Sequence, residues 1–566
     1  MGGGNRIPPM NSQKLASDLK QNLYLHAVVD LGSNGIRCSI SDLLPPTTRV
    51  IPTVHYHRVN ISLYEAQVDP DSGSRIAIPQ HVIDRIVSAI VRFQIVCVEI
   101  GVPAQNIRII ATEATRTAIN ASAFMDAIRH KTGISVEALR KEEEGVIGAW
   151  ALPAAFQTWR DLRLIWGKLA DLERGKSKEE AHKAREQFRG EMACNFRAAF
   201  DTLNVPEQLV QRAREQGGFP LYLSGGGFRG WGYLLLYLHQ TKGQSYPISI
   251  INGYTAPKED FEDTEALKEV ARTAHEIFRV SDRRRKQVPS VAFLVKTLAE
   301  SLPHGIKEAH FCQGGVREGV LFREMLPVVR QQDPLEVATA RYEPSSAEAL
   351  AALLLAALPR PSASRSFPSS ISLHLVQAFA NALYYHATMS KELSSSAALY
   401  STSTGILAST HGIPHDHRAL LALMLQERYG GELPPRDVEF KTQLQGILTP
   451  EEVWWTRYLG KLGFILGQLY PTGSIDTSKP RIIPSAQWKN GLGKKGKKEG
   501  LDLTISIQKV AYDPSHLRQE LENDVQKIEK VGKRKNWIGG RNGWGIKVRV
   551  SVIEEDLVAR SMYVEA

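Results

Sequence analysis

Between Tyr24 and Ile40 the chain reads YLHAVVDLGSNGIRCSI. Two apolar runs are joined by the turn Gly32-Ser33-Asn34, and a carboxylate, Asp30, closes the first run. This pattern is a strand, a tight turn and a second strand, and it commits the chain to a sheet from its start. A third strand is expected around His57 to Leu63. The helical stretch QHVIDRIVSAIVRFQIVCVEIG follows, with Val82, Ile83, Ile86, Ile90, Phe93 and Cys97 recurring at spacings of three and four. IRIIAT (Ile107 to Thr112) predicts a buried strand leading into a helix from Ala114. Ile134 to Glu137 predicts a short strand before the helix that carries KEEEGVIGAW. The order βββαβαβα predicts a mixed sheet with helices packed against it.

The next part, 151–330, has a different order. A helical run rich in Glu, Lys, Arg and Ala precedes a strand FPLYL, the Gly turn SGGGFRGWG and a helix. PISII is expected as another strand, and AHFCQGGVREGVLF as strand, turn and helix. No three-strand meander opens this half. A stretch rich in Ala, Pro and Ser, 331–370, is expected as a linker. Residues 371–470 read as wholly helical, and 471–566 as a small α+β extension in which LDLTISIQKV and IKVRVSVI flank a charged helix. The first 23 residues are expected to be a disordered tail, with 24–150 a first lobe and 151–330 a second.

A chain of 566 residues has room for several packed domains. The formal charge of +10 is clustered in places such as Asp282 to Lys286 and Lys494 to Lys498, which suits a polyanionic small ligand or mild nucleic-acid attraction. Cys38, Cys97, Cys194 and Cys312 lie far apart without Cys-x-x-Cys spacing, as in a reducing compartment. No apolar run reaches about 18 residues, so no membrane partner is expected, and the location is expected to be cytoplasmic. The N-terminus has Gly2 but carries Arg6 where a myristoylation motif needs Ser or Thr.

Backbone N–H groups in a small-residue turn form an anion nest, and DLGSNGIR supplies one with Asp30 beside it. The plain alternative is a tight hairpin. ATEATRTAIN places Arg116 at the start of a helix after a buried strand, a position suited to a phosphate chain. Alone, it would read as a surface arginine paired with Glu113. In RKEEEGVIGAW the carboxylates Glu142 to Glu144 cannot all face one way, so at least one could serve as base for a water, or all could simply suit the helix dipole. LSGGGFRGWG and CQGGVREGVLF are strand–Gly-turn–helix units, each with an arginine, Arg229 or Arg317, just after the glycines.

Together these strings resemble the exopolyphosphatase and guanosine pentaphosphate phosphatase family. YLSGGGFRGWGYLLLY, VSDRRRKQVPSVAFLV and HFCQGGVREGVLF look like its fungal branch, the retrograde regulation proteins. The resemblance covers roughly Leu25 to Tyr470. It implies a two-lobed actin-like (ribonuclease H-like) ATPase α/β fold, followed by a helical domain similar to HD proteins. By position, Asp30, Gly32, Ser33 and Asn34 would contact phosphate, and Arg116 would hold the polyphosphate or nucleotide phosphates. Glu143 would be the water-activating base, with Glu144 as the alternative. Ser224, Gly225, Gly226 and Gly227 would belong to the nucleoside side of the cleft. Mg2+ would accompany a bound nucleotide or polyphosphate. The branch implies a regulator of mitochondria-to-nucleus signalling that works through protein partners, and a homodimer is compatible with it.

One departure bears on activity. The family closes phosphate between two loops, the second an Asp-x-Gly-Gly-Gly-Ser-Thr-Glu strand end soon after the catalytic glutamate, and that motif is absent from this sequence. Either the chain discarded the loop and kept the lobes as a binding scaffold, or an exon is mis-called around Ala149 to Lys168. The second is favoured, since loss of a core strand costs far more than a loop change. As the sequence stands, poor or no phosphate hydrolysis is expected. A working phosphohydrolase is the second reading, and a nucleic-acid binder, drawn only from charge and the run KNGLGKKGKKEG, is the third and weakest. His411, His415, Asp416 and His417, with distant His386, are read as a polar helix start in preference to a metal site.

Overall fold

The computed structural model describes residues 22–33, 35–69, 71–140, 143–144, 146–147, 169, 172, 176–241, 245–362, 365–493, 496, 498–508 and 514–555. Asn34 and Glu142 lie outside the described residues, as do 149–168, where the second phosphate loop was sought. The chain divides into two compact units. The first comprises 1–230, 257–264 and 283–331, and the second 231–256, 265–282 and 332–566.

The first unit is built on a five-stranded sheet of order β3-β2-β1-β4-β5, with β1 (Leu25–Gly32), β2 (Gly35–Asp42), β3 (Thr53–Val59), β4 (Ile107–Ala111) and β5 (Val136–Ala138). The first three strands are antiparallel, while β4 pairs with β1 in parallel. The meander followed by crossovers is therefore present, with the third strand several residues earlier than expected. Strand alternation sorts the side chains of β1. Ala27, Val29 and Leu31 join the apolar core formed with helices α1 (Gln80–Ile100) and α3 (Ala121–Thr132). The six α1 residues picked out by their spacing are all buried. The helix expected from Ala114 is instead a short turn of helix, α2 (Glu113–Arg116), and then α3.

The opposite face of the sheet carries Val28, Ile110 and, beside Val28 in the alternation, Asp30. It is covered by a helix from far along the chain. After α4 (Lys178–Asp201), α5 (Glu207–Gln216), β6 (Phe219–Leu223), α6 (Gly226–Thr241), the short strand β7 (Tyr254–Pro257), α7 (Lys258–Glu262), α8 (Thr264–Thr273), α9 (Asp282–Arg285), α10 (Val288–Ser301) and β8 (Ile306–Phe311) comes α11 (Val316–Glu324). Val320 and Leu321 of α11 pack with Val28, Ile110, Leu139 and Ile147. Arg108 on β4 fastens it by bonding both Glu137 and Glu324 at 2.7 Å. Strands β6 and β8 pair in parallel. PISII is not a strand, although Ile248 and Ile251 are buried. Among the described residues this half opens on α4, not on a strand meander.

In the second unit the stretch expected as a linker, 331–370, is corrected. It holds helix α13 (Pro334–Ala340), after the short α12 (Pro327–Arg330) of the first unit, and α14 (Ala347–Ala356), with Leu350, Leu353 and Leu354 buried. Its Ala and Leu content serves helix packing, not flexibility. Helices α15 (Leu373–Ala382), α16 (Lys391–Tyr400), α17 (His415–Tyr429), α18 (Pro435–Gly446) and α19 (Pro450–Leu469) follow, so 371–470 is helical as expected. Every residue of α17 from Arg418 to Arg428 is buried, so this helix is surrounded on all sides. α19 crosses it closely: a Cβ at Gly460 would meet the Glu427 Cβ at 2.5 Å. The extension is a three-stranded sheet of order β11-β10-β9, from β9 (Ile482–Leu492), β10 (Lys498–Gln508) and β11 (Lys547–Glu555), with α20 (Pro514–Val531) between the last two. β9 was not foreseen. The described ends of the Lys-rich run, Lys489 to Leu492 and Lys498 to Gly500, lie on the antiparallel strands β9 and β10.

Candidate functional site

Parallel pairing decides what meets at the carboxyl end of the first sheet. Leu31 of β1 is level with Ala111 of β4, so the Gly32 turn and the α2 turn emerge side by side. The Thr112 hydroxyl donates to the Leu31 carbonyl at 3.3 Å and ties the two. Gly32 ends β1 with little room above it, a Cβ there lying 3.2 Å from the Gly35 carbonyl oxygen and 3.6 Å from Asp30 Oδ1. The Ser33 carbonyl accepts from the Ser62 hydroxyl and the Tyr64 amide, so the turn is held by the segment after β3.

The same logic brings the second pair of turns together. Leu223 of β6 is level with Phe311 of β8, and the Cys312 amide donates to the Leu223 carbonyl at 2.8 Å. The Ser224 hydroxyl donates to the Gly314 carbonyl at 3.1 Å. Gly225 has a φ of +98°, a conformation that glycine adopts without strain. Gly226 and Gly227 open α6, and Arg284 Nη1 donates to the Gly226 carbonyl. Ser224 and the three glycines thus form one turn braced by its neighbour and by Arg284.

The two regions converge through α11. Gly315 caps this helix, its amide donating to Glu318 Oε2 at 2.9 Å, which places Arg317 in the first turn on the Asp30 side of the sheet. Arg317 Nη2 meets Glu318 Oε1 at 3.0 Å, and its guanidinium lies 5.1 Å from the Tyr56 ring centre. Its Nη1 is buried without a hydrogen-bond partner among the described residues. Asp30 is 7% exposed, and its Oδ1 is likewise buried and without a hydrogen-bond partner among the described residues. Burial pushes the Asp30 pKa up, against the opposing pull of Arg37, its cross-strand partner, and of Arg317, while Glu318 adds to the rise. Cys38 beside them is pushed up to about 12 by burial and is an inert thiol.

The glutamates separate. Glu144 Oε2 lies 3.4 Å from Arg116 and its side chain is 15% exposed, whereas Glu143 faces Arg323 at 3.2 Å and is 40% exposed. Arg116 also donates to the Leu139 carbonyl. The structure therefore joins Arg116 to Glu144, the alternative, and turns Glu143 towards α11. Arg317 was noted in sequence only as an arginine after glycines; its approach to Asp30 was not. The helical fragment carrying the glutamates rests on α11 through Gly319, where a Cβ would meet the Ile147 carbonyl oxygen at 2.1 Å. Gly319→Ala is expected to cost about 2 kcal/mol by overpacking, read as a lower urea midpoint.

Asp30 yields a prediction of opposite sign. A carboxyl whose folded pKa is raised contributes stability that is complete below its unfolded pKa and is lost as pH rises through its folded pKa, so charging it at neutral pH works against folding. Asp30→Asn is expected to raise stability by about 1 kcal/mol while removing the buried charge, seen as a higher thermal midpoint that no longer falls as pH rises through the carboxylate range.

His415 of the helical region has a protein partner at each ring nitrogen. Tyr246 OH lies 2.8 Å from His415 Nδ1, and His415 Nε2 lies 3.1 Å from the Asn252 carbonyl. A carbonyl only accepts, so Nε2 carries the proton and Nδ1 accepts from Tyr246. Burial first, then Arg418, pushes His415 down to about 3, so both nitrogens of this neutral ring are in use. Burial lowers His386 to about 4. No described helix is long and apolar enough to cross a membrane.

Comparison with known proteins agrees with this architecture. Residues 45–164 and 186–327 match the Ppx/GppA phosphatase family, and 333–556 match the RTG2 C-terminal domain. Retrograde regulation protein 2 of Saccharomyces cerevisiae is 34% identical over 489 residues, which are 80% of this chain and 82% of the yeast protein. The chain belongs to the Ppx/GppA phosphatase family, in its retrograde regulation protein branch. Its described fold is mixed α/β, followed by a helical region and a small three-stranded sheet. Among solved structures, a Ppx/GppA phosphatase from Aquifex aeolicus aligns at 17% identity and a TM-score of 0.37, covering 54% of this chain and all of that one. An exopolyphosphatase from Cytophaga hutchinsonii aligns at 15% and 0.36, covering 53% and 96%. The RTG2 C-terminal match runs without a break across the expected linker, helical domain and extension.

Proposed function

We propose that this protein is a regulator of mitochondria-to-nucleus signalling that binds nucleotide or polyphosphate in the cleft of its first unit. It acts in the cytoplasm through protein partners, and its turnover of the bound phosphate is weak or nil. The kinship with retrograde regulation protein 2, which extends through the C-terminal domain, supports the signalling role. The observation that carries the binding role is the pairing of Asp30 with Arg317. A buried carboxylate oxygen and a buried guanidinium nitrogen, each without a hydrogen-bond partner among the described residues, lie within electrostatic reach of one another. Buried polar atoms are ordinarily satisfied, so this arrangement suits an incoming anion and cation.

Arg317 would take a phosphate oxygen and Arg116 a second, while the Gly32-Ser33 turn offers backbone N–H groups. Ser224 to Gly227 would take the nucleoside side. Asp30 Oδ1 fits Mg2+ or a water on it, and the ion would neutralise phosphate charge there. The missing Asp-x-Gly-Gly-Gly-Ser-Thr loop supports binding without turnover. Calorimetry with Mg-ATP and Mg-GTP is expected to show saturable binding that weakens at least about tenfold in Arg116→Ala and in Arg317→Ala. No heat of binding with either nucleotide would sink the proposal. A phosphohydrolase is the second reading, favoured by the contact between Arg116 and Glu144. Phosphate release from polyphosphate or nucleotide that is robust in the wild type and lost in Glu144→Gln would establish it instead.

A further inference from the structure

The second unit has a cavity of its own, of about 330 Å³, walled by α17, α18, α19 and α20. Five cations line it, Lys441, Arg457, Lys461, Lys527 and Lys530, against a single carboxylate, Glu427. Glu427 is engaged by Lys441 at 2.7 Å and Lys461 at 2.8 Å. Lys527 bonds Asp524 at 2.9 Å and lies over the Phe464 ring. Arg457 donates one bond, to the Asn536 carbonyl at 3.2 Å, and the Lys530 ammonium has no partner among the described residues. Like charges gathered in a concave wall repel one another and focus a positive potential into the cavity. Nothing in the apolar core requires them there.

We infer that this cavity is a second anion site, distinct from the cleft of the first unit, and that it takes a small anion carrying several clustered phosphates. Three observations fix that class. Its volume lies at the lower end of the roughly 300–1,000 Å³ of small-molecule sites, too small for a folded partner. Val531 is the one apolar residue in its lining, and no aromatic ring faces it to stack a base, which selects a phosphate cluster over a nucleoside. The cations come from α18 and α19 of the helical region and from α20 of the extension, so one polyanion would cross-link the two. The ligand thereby stabilises the packing of α20 against α19, and its level would be read as the stability of the C-terminal unit. The inference stands independently of the cleft.

The test uses the full-length chain, with myo-inositol hexakisphosphate and inorganic tripolyphosphate as soluble probes. A second arm uses phosphatidylcholine vesicles containing a phosphorylated inositol lipid, and sodium sulfate is matched for ionic strength. Thermal scans are expected to show a midpoint raised by several degrees with a polyphosphate probe and not with sulfate. That shift is expected to survive Arg116→Ala and to vanish in Arg457→Gln/Lys530→Gln. Glu427→Gln, which removes the competing carboxylate, is expected to bind the probe at least about threefold more tightly, a gain that misfolding cannot imitate. Binding of the soluble probes assigns a free metabolite, and binding of the vesicles alone assigns a lipid headgroup. An equal shift in the double variant, loss of the shift in Arg116→Ala, or no binding in either arm would overturn the site.

Discussion

Arg418→Ala is expected to destabilise the C-terminal unit by about 4 kcal/mol. Arg418 is fully buried in α17 and its guanidinium donates to four backbone carbonyls. Nη1 reaches Thr402 at 2.5 Å and Leu407 at 2.7 Å, Nη2 reaches Thr410 at 2.6 Å, and Nε reaches Ile413 at 3.3 Å. These carbonyls belong to the irregular segment between α16 and α17, which has no helix or sheet of its own to satisfy them. Truncation strands the Thr402 and Ile413 carbonyls, each costing at least about 1 kcal/mol, leaves Leu407 and Thr410 only their bonds from the Thr410 amide and Asn252, and opens a cavity besides. Burial pushes the Arg418 pKa down to about 10, which leaves it charged at neutral pH, so its bonds remain charge-assisted. Arg418→Lys is expected to recover only part of the loss, because an ammonium cannot span four acceptors set around a planar fork. Urea unfolding followed through buried Trp454 and Trp455, both in this unit, measures it. A shift within about 0.5 kcal/mol in the alanine variant would refute the account.

Arg418 also shows where sequence reading stops. α1 declares itself because one face is buried and the other is not, so its apolar residues recur with the helix period. α17 is buried on every side, and Arg418, Gln426 Nε2 and Glu427 bond groups outside their own helix. Periodicity carries no record of such partners. The segment holding α13 and α14 reads as a linker because Ala, Pro and Ser are shared by linkers and by tightly packed helices. β9 was missed because its residues alternate between sheet and solvent around polar positions such as Gln487 and Lys489. At the candidate site, the Gly32 turn and Arg116 were apparent from local strings. The assignment of Glu143 over Glu144 failed to anticipate the contact with Arg116, since adjacent helical residues point about 100° apart. The approach of Arg317 to Asp30 depends on α11 covering one face of a sheet begun at the other end of the first unit. No local pattern specifies that.

The basic cavity supplies the other large effect, because its one carboxylate works against its surroundings when removed. Burial alone would raise the pKa of Glu427, but Lys441 and Lys461 overcome it and hold the group down to about 2, against an ordinary value of 4.5. A carboxyl with a depressed folded pKa contributes stability that is complete above its unfolded pKa and is lost as pH falls through the folded one. The window here is therefore about pH 4.5 down to about 2. The difference corresponds to about 3 kcal/mol at 1.36 kcal/mol per unit. Glu427→Gln is expected to lose about that much at neutral pH, because it leaves Lys441 and Lys461 without their counter-charge beside Arg457 and Lys530, while Asp524 stays with Lys527. The variant should also lose the steep acid limb below pH 4.5, so the two proteins converge in stability towards pH 2. A bound polyphosphate restores the missing negative charge, so myo-inositol hexakisphosphate should return part of the variant's stability at neutral pH and return less to the wild type. Equal denaturation curves for the two proteins at pH 7 would mean that the lysines find their counter-charge in solvent. In that case the cavity would hold no concentrated positive potential, and both this stability argument and the anion site would fall together.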